Sequence, residues 1–128
     1  MKVLFIGGTG NISAACSRLA VSRGIELYHL NRGHTEVEIS GVQTIIGDIY
    51  KPETLRELRK HTWDVVVNWI AYHREHVESD LDLFMNKTRQ YIFISSASCY
   101  QTPLSYPVIT ESTPLKNNLW DYSKNKIQ

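Results

Sequence analysis

Tyr122-Ser123-Lys124-Asn125-Lys126 carries the residue types that move protons. Tyr122 and Lys126 are four apart, so on a helix they share one face. A phenol titrates near pKa ~10. A neighbouring ammonium favours the phenolate and lowers that value, and such a tyrosine can exchange a proton with an alcohol or carbonyl near neutral pH. Upstream, Ile94-Ser95-Ser96-Ala97-Ser98-Cys99-Tyr100 follows an apolar, strand-like run. Hydroxyls at the C-terminal edge of a strand face the crevice where open α/β sheets bind ligands, and Ser96 can hold the same substrate oxygen as Tyr122. The bland alternative is an exposed helix start with two unconnected polar residues, because Y-x-x-x-K alone recurs by chance. The serines and a glycine turn upstream outweigh it.

That turn lies at the other end of the chain. An apolar run ending at Ile6 meets Gly7-Gly8-Thr9-Gly10-Asn11-Ile12-Ser13, and a helical pattern follows at once. A buried strand turning tightly into a helix leaves free amides at a helix N-terminus, where the dipole favours anions. A pyrophosphate fits there. Gly7 supplies backbone freedom and Gly10 close approach, while Asn11 and Ile12 complete the cofactor-binding amides. Ser13 stands where a third glycine normally lets helix and strand pack tightly.

At the end of the second predicted strand come Asn31 and Arg32 rather than an acidic residue. No carboxylate repels a 2′-phosphate there, and Arg32 can pair with one. This leans towards NADP over NAD, and a solvated Arg32 is nearly as good a reading. Asp48, with Ile49 beside it, either hydrogen-bonds the adenine or caps the next segment.

The elements that must position these groups alternate. Strands are expected over residues 2–6, 25–30, 42–46, 64–70 and 91–95. Helices are expected over 11–23, from Pro52 to about 61, and over 77–86, with one more opening at Leu119. In the first helix Ile12, Ala15, Cys16, Leu19 and Ala20 lie at helical spacing, and Cys16 reads as a small buried group. Leu55 and Leu58 face inward from the second helix. In the third, Val77, Leu81 and Phe84 form the apolar stripe, and Glu78, Asp80 and Asp82 an exposed face. The Val-Val-Val run reads as a strand buried on both faces, and 91–95 as another. Five strands alternating with helices imply an α/β Rossmann-type doubly wound parallel sheet with right-handed crossovers. The loop of about residues 96–118 is long for a compact domain, which marks it as functional or disordered.

Composition narrows the class. The chain has 128 residues, 42% hydrophobic and 21% charged, with a net charge of +1, enough for one core. No bulk field attracts nucleic acid or an anionic membrane, no basic stripe interleaved with aromatics supports nucleic-acid binding, and no apolar run reaches membrane-span length. With no secretory-type leader and only Cys16 and Cys99, the reading is a cytoplasmic protein with inert thiols. His73 and His76 lack a third metal ligand, so no metal is expected. Trp63, Trp69 and Trp120 read as core or cleft-lining groups.

Taken together, residues 3–13, Gly47-Asp48, 65–71, 91–100 and 122–126 resemble the N-terminal part of an extended short-chain dehydrogenase/reductase, in the NAD-dependent epimerase/dehydratase group. The resemblance spans nearly the whole chain. It implies that Tyr122 is the catalytic acid/base, that Lys126 binds the nicotinamide ribose and tunes Tyr122, and that Ser96 is the active-site serine, with Ser98 the runner-up. It also implies that residues 68–71, Ala71 among them, line the cofactor mostly through backbone. Ser13, Trp69 and Tyr72 depart from the family's usual residues. The family acts on small-molecule substrates, most often sugar nucleotides, and continues into further strands and a substrate domain. Residues 1–128 are therefore expected to be a dinucleotide-binding domain truncated before the last strands and the substrate domain, prone to self-association as a homo-oligomer, with a frayed last helix. The competing readings are a non-catalytic nucleotide-binding module and an inactive fragment.

Overall fold

The computed structural model describes residues 1–34 and 37–128. Five strands form one parallel sheet: β1 Lys2–Ile6, β2 Glu26–Asn31, β3 Val42–Ile46, β4 Trp63–Asn68 and β5 Thr88–Phe93, in the order β3-β2-β1-β4-β5. The chain steps outward from β1 to β3, then crosses to β4, so the strand order reverses between β1 and β4. Ligands of open α/β sheets bind outside the strand ends at such a switch point. The expected Rossmann-type doubly wound sheet is present. Helices are α1 Asn11–Ser22, α2 Pro52–Leu58, α3 Arg74–Phe84 and α4 Asp121–Ile127, and a short 3₁₀ turn spans Ala97–Cys99.

Alternation along β1 separates two cores. Leu4 and Ile6 pack with Leu30, Leu58, Val66 and Phe84 on one face, while Val3, Phe5, Leu27 and Val67 pack on the other. Period-two side-chain direction in a fully covered parallel strand requires both sides to be apolar. β1 meets that requirement along Val3–Ile6. β5, a sheet edge, does not: it is at most half-buried, and the expectation of burial on both faces is corrected.

Three helix faces also depart from the sequence reading. In α1 the buried residues are Ser13, Ala14 and Ser17, whereas Ile12 is 71% and Leu19 57% exposed and Cys16 only half-buried. Small polar side chains face the sheet because the helix starts directly over the glycine turn, where bulk has no room. In α3 Asp80 is buried, at 2% exposure, and Leu81 is exposed. The helix begins at Arg74 and not at Val77, and its inward stripe runs through Asp80, Leu83 and Phe84. The expected frayed end is instead a docked α4 whose Ser123 and Lys126 are buried. Trp120, expected in the core or cleft, is 61% exposed. Among the described residues no helix is long and apolar enough to cross a membrane.

Candidate functional site

The turn of residues 7–10 joins β1 to α1. Gly7 has φ +85°, a left-handed conformation that β-carbon-bearing residues resist, and a Cβ there would stand 2.5 Å from the Ile70 side chain. Its amide donates to the Leu30 carbonyl at 3.0 Å. Gly10 caps α1, and its amide donates to Ser13 Oγ at 2.8 Å. Ser13 Oγ also reaches the carbonyls of Gly7 and Gly10 at 3.1 and 3.2 Å. The residue that departs from the glycine pattern therefore fastens the turn.

A cleft of about 460 Å³ opens over the strand ends at the β1/β4 switch. Of the expected cofactor residues, Gly7, Gly10, Arg32, Asp48 and Ile49 line it. Asn11 and Ile12 do not; they sit exposed at the start of α1. Ala71 is fully buried, and its carbonyl is occupied by Lys126. Of residues 68–71 only Ile70 lines the cleft, because Asn68 turns its side chain beneath it. Asp48 Oδ1 accepts from the Tyr50 amide at 3.0 Å, the turn-capping role that the sequence left open.

Tyr50, Tyr72 and His76 also line the cleft, and sequence reasoning did not place them there. The Tyr50 and His76 rings meet at a tilt of 39°, with centroids 4.6 Å apart. Burial, with the nearby carboxylates of Asp80 and Asp48, pushes the Tyr50 phenol up to about 12. Burial lowers the pKa of His76. The one legible signal was Tyr72, a large residue where the resemblance leads one to expect a smaller one.

Beneath this wall lies a buried polar knot. Asp80 accepts from Asn68 Nδ2 and, at 2.7 Å, from the Tyr91 hydroxyl, while Asn68 Oδ1 accepts from the Ile70 amide at 2.7 Å. Burial raises the Asp80 carboxyl, against the two hydrogen bonds that favour its charged form.

The proton-transfer candidates gather at the end of β5. Ser96 Oγ and Ser98 Oγ are 2.9 Å apart, and the buried Ser123 donates to Ser98 Oγ at 2.9 Å. The Ser98 amide donates to Ser96 Oγ at 3.2 Å. Lys126 Nζ donates to the carbonyls of Ala71 and Ile94, at 2.5 and 2.8 Å. It stands 4.5 Å from the Phe93 ring centroid, 5.2 Å from that of Tyr72 and 5.8 Å from that of Tyr122. Burial lowers its pKa. Tyr122 is 43% exposed, with its ring 6.0 Å from Tyr72. Tyr72 thus stands between the cleft and the Tyr122–Lys126 pair.

No family model matches the chain, and no curated protein matches it. Solved structures do. The UDP-glucose 4-epimerase of Bifidobacterium longum, in complex with NAD+ and UDP, matches with a TM-score of 0.84 at 19% identity, over 99% of this chain and 46% of that one. The UDP-Glc/GlcNAc 4-epimerase of Campylobacter jejuni matches with a TM-score of 0.82 at 18% identity, over 98% and 46%. The dTDP-glucose 4,6-dehydratase of Bacillus anthracis, in complex with NAD, matches with a TM-score of 0.76 at 18% identity, over 98% and 47%. The chain spans less than half the length of each, and over that span it has the Rossmann-type fold of these epimerases and dehydratases.

Proposed function

We propose that the chain is the dinucleotide-binding portion of an NAD(P)-dependent epimerase, dehydratase or reductase acting on a sugar nucleotide or a related hydroxyl or carbonyl compound. One observation carries the reading: the glycine turn, Arg32 and Asp48 line one cleft at the sheet's switch point, and Tyr72 joins its wall to the Tyr122–Lys126 pair. Fold neighbours were solved with NAD and UDP bound. The cleft suits the cofactor chemically: a glycine turn and a helix N-terminus for a pyrophosphate, and a guanidinium at the β2 end for a 2′-phosphate.

A nicotinamide dinucleotide supplies hydride transfer when bound. The protein's share is binding and proton management. The turn of residues 7–10 holds the pyrophosphate and Asp48 the adenosine end. Ser96 orients the substrate oxygen, Tyr122 gives or takes its proton, and Lys126 holds the ribose and sets positive charge beside Tyr122.

Calorimetric titration of the chain with NAD+ and NADP+ tests the binding half. Saturable binding of either is expected, and no binding of either overturns it. The chemical half rests on Tyr122→Phe. With UDP-glucose as probe, loss of turnover at unchanged cofactor affinity is expected, and an undiminished rate removes Tyr122 from the mechanism.

A further inference from the structure

The sequence accounts for Gly7 and Gly10, yet within the turn it is Gly8 that has the least room. A Cβ built on Gly8 would lie under 3.0 Å from Cδ2, Nε2 and Cε1 of His29. That ring cannot step aside. His29 is buried on β2 and lies parallel to the Phe5 ring, centroids 6.0 Å apart with 8° between planes. Its Nε2 is 2.8 Å from Ser17 Oγ, a fully buried hydroxyl on α1. Ser17 Oγ also reaches the carbonyls of Ser13 at 2.8 Å and Gly8 at 3.3 Å. An imidazole and a hydroxyl thus support the turn from below, while Ser13 ties it from within.

We propose that His29 is a positioning residue for the phosphate turn, acting through Gly8 and Ser17 to set the direction of the amides of residues 7–10. The proposal rests on the cofactor reading above. The imidazole supplies a flat floor on which only a glycine can lie, and its hydrogen bond fixes the Ser17 hydroxyl beneath the turn. Buried groups of fixed shape transmit a misfit to whatever they touch, because packed interiors have no slack. Fitting a methyl group between Gly8 and the ring must therefore lift the turn, and removing the ring must make that methyl tolerable.

A double-mutant cycle on the intact chain decides it, read by calorimetric NAD+ affinity, by the ¹⁵N-¹H shifts of Gly7 and Gly10, and by thermal melting. Gly8→Ala alone is expected to weaken NAD+ by about tenfold or more and to move both glycine amides. In a His29→Ala background the same change is expected to weaken binding by less than about threefold. His29→Gln, whose amide reaches the place of Nε2, is expected to keep the parent shifts. Equal penalties for Gly8→Ala in both backgrounds overturn the proposal. If Gly8→Ala fails to fold, rescue of folding by His29→Ala supports it and failure to rescue counts against it. Ser17→Ala adds no bulk and is expected to weaken NAD+ by about fivefold at parent-like secondary structure; parent affinity there also overturns it. If the parent binds no NAD+, the cofactor reading falls, and the glycine shifts of the same variants still judge the coupling.

Discussion

Lys126 Nζ donates at once to the Ala71 carbonyl beyond β4 and the Ile94 carbonyl beyond β5, so one ammonium on α4 ties together two strand ends. Lys126→Met keeps the length of the side chain and removes the donors. Two carbonyls then lose a charged partner, at about 1–3 kcal/mol each. The expected outcome is a lower melting temperature and faster amide exchange across α4, with β1 exchange unchanged. Parent-like exchange in α4 means that the helix is held by something other than this ammonium.

The same contact shows where sequence reasoning stops. Lys126 was legible as half of a spaced pair, because helical spacing is local. That it reaches residues 55 and 32 positions away was not, since no local pattern encodes which carbonyl a long side chain meets. The fold was legible because strand–helix alternation and the glycine turn are periodic or local signals. The errors share one cause. Hydrophobicity alone turned Ile12, Leu19 and Leu81 inward and Asp80 outward, whereas steric room over the turn admits serines, and Asn68 and Tyr91 supply the partners that make a buried carboxylate tolerable. Tyr50 and His76 were missed because cleft walls are assembled from separate elements, here the loop before α2 and the first turn of α3.

Asp80 offers a test of that burial. Its carboxyl is raised by desolvation, so the folded protein holds the proton more tightly than the unfolded chain. Its contribution to stability is present below the ordinary carboxylate pKa and is lost as pH rises through the folded value. Asp80→Asn keeps an acceptor for Asn68 and Tyr91 without the charge. It is expected to match or exceed parent stability at pH 7 by up to about 1 kcal/mol. Asp80→Leu strands both donors and is expected to lose about 3 kcal/mol or more. Urea unfolding at pH 7 separates them, and equal losses in both refute the account.

His29 runs the other way. Burial lowers it from 6.5 to about 4, so between those values the unfolded chain takes up a proton that the folded protein refuses. Stability from this group is full above about pH 6.5, declines as pH falls, and is gone by about pH 4, a loss on the order of 3 kcal/mol. Subtracting the urea-unfolding profile of His29→Gln from that of the parent isolates the effect from the other histidines. A flat difference between pH 4 and 7 shows that the imidazole is not buried as a neutral ring.

Arg32 offers a test of which phosphate the proposed cofactor carries. It is exposed, lines the cleft directly after β2, and follows Asn31 rather than a carboxylate. A guanidinium that meets a 2′-phosphate gains a charge-assisted pair that a 2′-hydroxyl cannot supply. Solvent at the cleft mouth screens that pair, so its worth is nearer that of a surface ion pair than of a buried one. The expected preference of the parent for NADP+ over NAD+ is therefore modest, about tenfold at low salt, shrinking as salt is added. Arg32→Ser is expected to abolish it by weakening NADP+ alone. Paired calorimetric titrations at two ionic strengths read both effects. Equal affinity for the two cofactors in the parent removes Arg32 from recognition and leaves the turn of residues 7–10 as the phosphate-binding element proposed.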